Sequence, residues 1–247
     1  MEACRYERYD ATKDPRDEVY CVLACQMLGK PIGSITKADP ERKMGKTADL
    51  ACGYGGTHAA IDRFAPGIFS EDERKRIANQ WRFQHPATVK YWYTLEKATL
   101  EAYQNPHKVI RCDRLLLQFV PGALRIKLPS GRKLAYPFPK IVRDSYGHNR
   151  VHYMGGRLGQ WAEVRSWFGT WIENVVQAIA RDVLAEAILR LEAAGYPIVL
   201  HVHDEIVAEV PEGFGSEAEF VKIMTQNPAW ALTLPIAAEA WTGRRFR

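Results

Sequence analysis

The sequence lacks the features that would place it in a membrane or in a disulfide-linked secreted class. No apolar run approaches the roughly 18 residues that a transmembrane helix needs. The first ten residues, MEACRYERYD, are charged and contain no apolar stretch of the kind found in signal peptides. Five cysteines are an odd number for a disulfide framework. We therefore expect reduced, mostly buried thiols and a cytoplasmic protein.

Zinc-binding patterns and internal repeats are also missing. Cys21 and Cys25 are four residues apart on a predicted helix, but no second Cys or His pair follows at zinc-ligand spacing. The sequence contains no repeat and no low-complexity tract. With 247 residues, 47% of them hydrophobic, the chain can bury a core as one large domain or two small ones.

Basic residues are concentrated in one part of the chain. The formal net charge is +5. Residues 105–150 contain ten Lys and Arg against two Asp, so this segment carries +8 and the remainder −3. Such a concentration favours a polyanionic partner, nucleic acid first. A solvated basic face without a partner is the alternative that charge alone leaves open.

Four helices are predicted before residue 107. Their predicted bounds are 17–29, 40–56, 71–83 and 85–104. Asp39 is the expected N-cap of the second helix, with Pro40 in the first helical position. Ser70 and Glu73 form the capping-box pattern that opens the third helix.

The second half of the chain mixes strands with one long helix, which indicates the α+β fold class. Alternating residues predict strands over Val109–Tyr136, whereas residues 141–169 look rich in loops. Thr170 and Glu173 form another capping-box pattern, which predicts a helix that ends at Gly195.

A predicted β-hairpin follows this helix and has three ionisable residues at its tip. Two runs of β-forming residues, Ile198–Val202 and Ile206–Val210, flank His203-Asp204-Glu205. Mg²⁺ prefers hard oxygen ligands such as carboxylates and completes its shell with water and substrate phosphates. A two-metal phosphoryl-transfer site would need a second carboxylate from another strand. Solvated carboxylates without a function are the alternative.

A second pattern lies in the predicted helix that starts after Asp39. Arg42, Lys46, Leu50 and Tyr54 recur at every fourth position, and Gly55 follows. Four residues turn a helix by roughly 400°, so these side chains form one slowly drifting stripe. The two cations suit a triphosphate, because Arg forms forked contacts to phosphate and Lys acts as a point charge. A solvated cationic end with a packed apolar end is the alternative.

The two patterns together resemble the motifs of family A DNA polymerases of the bacteriophage and prophage type. Arg42–Gly55 resembles the fingers-helix motif of that family, and HVHDE resembles its palm hairpin motif. LPSGR and ENVVQAIARD lie between them in the expected order. The resemblance extends from about Asp14 onward. It implies a palm-side helical segment at 1–36, a fingers subdomain at 37–130 and the carboxy-terminal half of the palm at 131–247.

The resemblance implies a role for each residue of the stripe. Arg42 and Lys46 would hold the triphosphate of an incoming dNTP, and Lys46 would also protonate the leaving pyrophosphate. Tyr54 would lie beside the template base and the new pair. Leu50 stands where the family usually has an aromatic ring, so base stacking there would be weaker.

The resemblance also implies metal and DNA contacts. Asp204 would ligate two catalytic Mg²⁺ ions, with Glu205 supporting the cluster. Gln177 would check the minor groove, where correct pairs present equivalent acceptors. The residues expected to contact primer-template DNA are His203, Gln177, Asn174, Gly55, Arg132 and Lys133.

One part of the family pattern is missing. The other metal-binding Asp of the family lies in a D-[YF]-S-x-[IL]-E strand before the fingers, and nothing in residues 1–37 matches it. We therefore expect the isolated chain to be inactive and to need an upstream polymerase fragment that carries this strand and the thumb. A catalytically inactive DNA-binding remnant is the main alternative. A metal phosphohydrolase using His203 and Asp204 is disfavoured, because the other histidines are scattered.

Overall fold

The computed structural model describes residues 18–157 and 159–246. The chain divides into two compact units, one that ends at Asn174 and one that begins at Val175. The predicted α+β class is confirmed by helices and antiparallel sheets. The predicted subdomain boundaries rest on the family resemblance and remain a prediction.

The described part of the first unit begins with five helices. They are α1 Val19–Leu28, α2 Arg42–Cys52, α3 His58–Phe64, α4 Glu71–Gln84 and α5 Pro86–Gln104. All four predicted helices are present, whereas α3 was not predicted. The capping box of α4 is confirmed: the Ser70 hydroxyl accepts from the Glu73 N–H at 3.3 Å, and the Glu73 carboxylate accepts from the Ser70 N–H at 2.8 Å.

The start of α2 differs from the prediction. Asp39 does not cap this helix; its carboxylate accepts the backbone N–H of Thr36 at 2.7 Å and the Thr36 hydroxyl at 2.8 Å. The helix begins at Arg42, after Glu41, which makes no side-chain cap. The Asp39 prediction was wrong because two donors in the preceding turn take up its carboxylate.

Close packing of α1 against α2 depends on Gly45. A Cβ at this position would lie 2.0 Å from the carbonyl oxygen of Tyr20 and 3.0 Å from the backbone nitrogen of Ala24. Backbone atoms cannot move aside as a flexible side chain can, so only glycine allows this approach. The contact fixes which face of α2 is buried.

An aromatic stack forms the interior around α4 and α5. Trp81 and Trp92 stack with their ring centroids 5.6 Å apart, and Trp92 stacks on Phe168 at 5.5 Å. His85 also stacks on Trp81, with the ring centroids 4.1 Å apart. Both tryptophans are buried, so they stabilise the core.

Two antiparallel sheets follow in the first unit. Their strands are β1 Val109–Cys112, β2 Leu115–Val120, β3 Ala123–Lys127, β4 Lys133–Pro137, β5 Lys140–Arg143, β6 Asn149–Arg157 and β7 Gln160–Val164. The strand orders are β1-β2-β3-β4 and β5-β6-β7. The loop assignment for residues 141–169 was therefore wrong. Gly155 and Gly156 interrupt the β-branched and aromatic pattern that would indicate a strand.

The long helix α6, Phe168–Ala193, begins in the first unit and continues in the second. Thr170 lies inside it, so the predicted capping box at Thr170 and Glu173 was wrong. Phe168 packs against Trp92 and, at 5.0 Å, against Tyr93. These ring contacts stabilise a helix that starts at Phe168, two residues before Thr170, the predicted N-cap.

The second unit contains the rest of α6, a hairpin and a short helix. Its other elements are β8 Ile198–Val202, β9 Glu205–Ala208 and α7 Glu217–Met224. Arg190 of α6 donates to the carbonyl oxygens of Ile223 at 3.3 Å and Gln226 at 2.8 Å. Tyr196 packs edge-on against Phe214 and Phe220, each at 5.1 Å.

A membrane span is not found among the described helices, since none is both long enough and apolar enough. The four described cysteines are free and buried; they are Cys21, Cys25, Cys52 and Cys112. The predicted burial is confirmed for these four, and Cys4 lies outside the described residues.

Candidate functional site

Three members of the predicted stripe share the outer face of α2. Lys46 is exposed, Leu50 is 41% exposed, and Arg42 is half-buried. The opposite face of the helix is buried and carries Gly45, Thr47, Ala48, Ala51 and Cys52. Tyr54 lies in the turn after the helix ends. Within the described ranges the Lys46 ammonium has no ion-pair partner, which leaves it accessible to an anion.

Arg42 is held by an acidic residue that sequence reasoning did not identify. Its Nε donates to Glu18 at 2.7 Å, and its Nη2 donates to the other Glu18 oxygen. The guanidinium carbon also lies 5.2 Å from the centroid of the Tyr20 ring, within cation–π range. Burial alone would raise the pKa of Glu18, but the hydrogen bonds from Arg42 and Cys21 lower that pKa below its ordinary value. Glu18 therefore stays ionised beside Arg42.

The turn at Tyr54 and Gly55 is held from two sides. Gly55 is buried with a φ of +85°, and a Cβ there would lie 2.2 Å from a carbon of the Phe168 ring. Arg82 of α4 donates through Nη2 to the carbonyl oxygens of Gly55 at 3.3 Å and Gly56 at 2.9 Å. The space left by the missing side chain is thus used by Phe168, while DNA contact at Gly55 remains a prediction.

Asp49 links α2 to α4. The Trp81 Nε1–H donates to the Asp49 carboxylate at 3.3 Å. Burial raises the pKa of Asp49, and the Trp81 hydrogen bond and the nearby His85 offset only part of that rise. The contact fixes the rotation of α2 and so keeps the stripe on the outer face.

The exposed face of the first sheet carries a row of cations. Strand register places Arg111 opposite Leu116, Leu116 opposite Lys127, and Lys127 opposite Lys133. Arg125 lies on the same face, two residues before Lys127. We call Arg111, Lys127 and Lys133 the cationic row. None of the three forms an ion pair in the part of the chain that the structure describes.

Arg132 and Asn174, like Gly55, are predicted contact residues of the first unit that lie outside this row. Arg132 occupies the turn between β3 and β4, where its backbone N–H donates to the Ser130 hydroxyl at 3.4 Å. Asn174 is half-buried on α6. Burial raises the pKa of Tyr153, and a hydrogen bond with the Asn174 side chain partly offsets the rise. Asn174 therefore has a structural role within the unit.

The predicted hairpin in the second unit is confirmed. Val202 pairs with Glu205, which leaves His203 and Asp204 as a two-residue turn. Glu205 is the first residue of β9, so its placement at the tip was wrong. His203 has a φ of +54°, in the left-handed region. All three residues are exposed, as is Gln177 on α6.

The donor set fits magnesium only in part. Asp204 and Glu205 offer exposed carboxylates, the ligand type that Mg²⁺ prefers. However, no group of three or more His, Cys, Asp or Glu is placed to hold a metal within residues 18–157 and 159–246. These residues therefore do not form a complete two-metal site, and no metal-dependent step follows from their geometry.

Comparison with known proteins finds relatives among phage DNA polymerases. The chain is 38% identical over 228 residues to a DNA polymerase of Bacillus phage SP02, a match that covers 91% of this chain and 35% of the phage protein. The chain is homologous to part of the phage DNA polymerases. A DNA polymerase of Mycobacterium phage D29 is 27% identical over 179 residues, which covers 72% of this chain and 21% of that protein.

The homology is partial. The chain spans about a third or less of the length of the curated relatives that it matches. No protein-family model matches it. The predicted resemblance is confirmed for phage DNA polymerases, whereas the family A assignment and the fingers and palm subdomains remain predictions.

Proposed function

We propose that the chain is the nucleotide- and DNA-holding part of a phage-type family A DNA polymerase, acting in the cytoplasm of the bacterial host. The observation that carries this proposal is the 38% identity to a phage DNA polymerase over 91% of the chain. The reaction would be attack of a primer 3′-OH on the α-phosphate of a dNTP, with pyrophosphate leaving. Catalysis of this kind depends on positioning and on stabilisation of developing charge.

In this proposal α2 supplies the contacts to the incoming nucleotide. Lys46 binds the triphosphate and protonates the pyrophosphate as it leaves, which its exposure and lack of a described ion-pair partner support. Arg42 provides a second cation, while Leu50 and Tyr54 contact the base. The Gly45 packing and the Trp81–Asp49 hydrogen bond would hold this face in place.

Asp204 and Glu205 provide part of the metal site in this proposal. The two Mg²⁺ ions of such a reaction need further carboxylate ligands. We propose that these come from the segment corresponding to the unmatched part of the phage relatives, either in the same polypeptide or as a separate partner. The exposed apolar side chains of β8 support a missing neighbour: Val199 is 57% exposed and Val202 is 42% exposed.

Primer-template DNA is proposed to bind through phosphate contacts and through geometric readout. The cationic row, with Arg132 beside it, suits the phosphate backbone. His203, Gln177, Asn174 and Gly55 are proposed to lie near the primer end and the new pair. Their exposure or local geometry is compatible with this, except that Asn174 and Gly55 also serve internal packing.

A second candidate is a DNA-binding remnant without turnover. The observation that favours it is the incomplete donor set around Asp204, alongside a cationic row with no described acidic partners. Such a protein would bind DNA but not extend a primer under any complementation.

A chimaera can separate the two candidates. This chain would replace the matching portion of the phage SP02 polymerase, and primer extension would be measured for the chimaera and for the isolated chain. We expect the chimaera to extend and the isolated chain not to. Asp204→Asn should reduce extension on the order of a hundredfold or more, whereas Glu212→Gln, an exposed residue paired with Arg244, should not.

Each outcome assigns the function. Robust extension by the isolated chain would contradict the need for a further segment. A folded chimaera that binds primer-template but does not extend it would favour the DNA-binding remnant.

A further inference from the structure

The Glu18 carboxylate, just before α1, forms an ion pair with Arg42, the first residue of α2. The Glu18 carboxylate accepts three donors: Nε and Nη2 of Arg42 and, at 3.3 Å, the Cys21 thiol. Both charged side chains are largely shielded from solvent, with 13% of Glu18 and 26% of Arg42 exposed. This shielding makes the pair stronger than a fully exposed ion pair.

The grip leaves one part of Arg42 available. A guanidinium carries five N–H donors, and Glu18 occupies the edge formed by Nε and Nη2. Tyr20 lies on one face of the group. Among the described residues nothing hydrogen-bonds to Nη1. An anion can therefore reach Arg42 from the Nη1 side while Glu18 remains in place.

An anion on that side would lie within a few ångströms of the Glu18 carboxylate. Like charges at this separation repel, because the distance is shorter than the Debye length at physiological ionic strength. Glu18 also cancels the positive charge that would otherwise attract the anion. An anion that contacts Arg42 alone, such as inorganic phosphate, therefore gains little affinity from it. A triphosphate can add contacts to the exposed Lys46 on the same face.

We propose that Glu18 weakens the electrostatic attraction of Arg42 for the nucleotide triphosphate and so sets the affinity and anion selectivity of the α2 site. This inference rests on the proposed function, since it takes Arg42 and Lys46 as the triphosphate ligands. Glu18 keeps Arg42 ordered and electrically neutral when no nucleotide is bound. Inorganic phosphate is thereby excluded more strongly than a dNTP.

Calorimetric titration of the chain with dATP, without metal, tests this role. Glu18→Gln keeps the shape of the side chain and one acceptor oxygen but removes the charge. We expect it to bind dATP about fivefold more tightly than the wild type, the upper range for losing one ion-pair partner. Inorganic phosphate, which has no second anchor, should gain affinity by a larger factor. Equal or weaker binding of dATP by Glu18→Gln would overturn the proposal.

Glu41→Gln is the matched control. It makes the same change of charge one residue from Arg42, but Glu41 pairs with Lys30 at 3.1 Å. Its dATP affinity should stay at the wild-type value. A gain as large as that of Glu18→Gln would show a general charge effect and overturn the specific role of Glu18.

Two further variants separate this inference from the proposed function. Arg42→Ala in the Glu18→Gln background should remove the gain. Lys46→Ala should weaken dATP binding in both backgrounds. If Lys46→Ala weakens binding and Glu18→Gln has no effect, only the inference fails. If no variant binds dATP, both fail.

A folding check keeps the test decisive. Circular dichroism of each variant establishes whether it is folded. If Glu18→Gln does not fold, Glu18→Asp is used in its place. It shortens the side chain by one methylene, which weakens the contact with Arg42, and it keeps a negative charge at the start of α1. Glu18→Asp should then bind dATP more tightly than the wild type, and equal or weaker binding would overturn the proposal.

Discussion

Lys127 lies directly opposite Lys133 in the antiparallel ladder between β3 and β4. Like charges in this position destabilise a sheet, and neither ammonium has an ion-pair partner among the described residues. Arg111 lies in the same row, two strands from Lys127. The sheet thus maintains a repulsive arrangement that folding does not require, which favours an anionic partner on this face.

Replacing one of the two lysines should improve folding and impair DNA binding. In Lys133→Glu the new carboxylate faces Lys127, so the free energy of unfolding should rise by roughly 0.2–1 kcal/mol. The same change should weaken primer-template binding and make its dependence on salt shallower by about one phosphate contact. Denaturant unfolding and fluorescence anisotropy at several salt concentrations measure the two effects.

Lys97→Glu provides the control for net charge. Lys97 is exposed on α5 and is not part of the cationic row. It should leave DNA affinity nearly unchanged. If both variants weaken binding equally, overall charge rather than the cationic row carries the interaction.

Gly55→Ala should destabilise the first unit strongly. The new methyl would clash with the Phe168 ring, which cannot move freely because it packs on Trp92 and Tyr93. Gly122 has a similar φ of +92° but open space around it. Gly122→Ala therefore measures the backbone strain alone. Gly55→Ala should cost about 1–3 kcal/mol more in denaturant unfolding, and equal costs would show that Phe168 yields.

Asp49→Asn should change how stability depends on pH. Burial raises the pKa of Asp49, so the folded state binds this proton more tightly than the unfolded chain does. The stability from this group is full below the unfolded pKa of about 4 and is lost as the pH rises through the higher folded pKa. Asparagine avoids that loss and still accepts from Trp81.

The difference in unfolding free energy between Asp49→Asn and the wild type should therefore grow in favour of the variant above about pH 4. It should then level off. Denaturant unfolding across pH 4 to 8 measures this difference. Asp72→Asn, on the exposed side of α4, serves as the comparison, and a constant difference for Asp49→Asn would contradict the desolvation of its carboxylate.

The thiols of Cys21 and Cys52 should resist alkylation in the folded protein. Burial raises the pKa of Cys52 to about 12, and burial with the hydrogen bond to Glu18 raises the pKa of Cys21 to about 12. Thiolates are the reactive species, so labelling of these two cysteines by iodoacetamide at pH 8 should be about a thousandfold slower than for a free thiol. Peptide mapping before and after denaturation measures this, and rapid native labelling of Cys52 would show that α2 and α4 separate readily.

Local signals in the sequence predicted much of the helical framework. The Ser70–Glu73 capping box and the Gly29 stop of α1 involve partners within a few residues. Such interactions form before the chain is folded, so a pattern of letters is enough to indicate them. Asp39 and Thr170 show the limit, because a competing turn and the packing of Phe168 overrode their capping patterns.

The strands over residues 141–169 show a second limit. Pairing partners stabilise β6, and Gly155 and Gly156 within it have no side chains that indicate a strand. Sheet formation here depends on register with neighbouring strands, which residue propensity does not specify.

The sequence by itself determined the four-residue stripe of α2, the acidic turn at Asp204 and the basic character of residues 105–150. Each can be read from one continuous segment of the chain. Only the tertiary structure decided that Glu18 grips Arg42 across 24 residues, that Arg82 holds the turn at Gly55, and that cations from separate strands form one row. These relations require chain reversal and strand register, which arise from packing of the whole unit and not from any single segment.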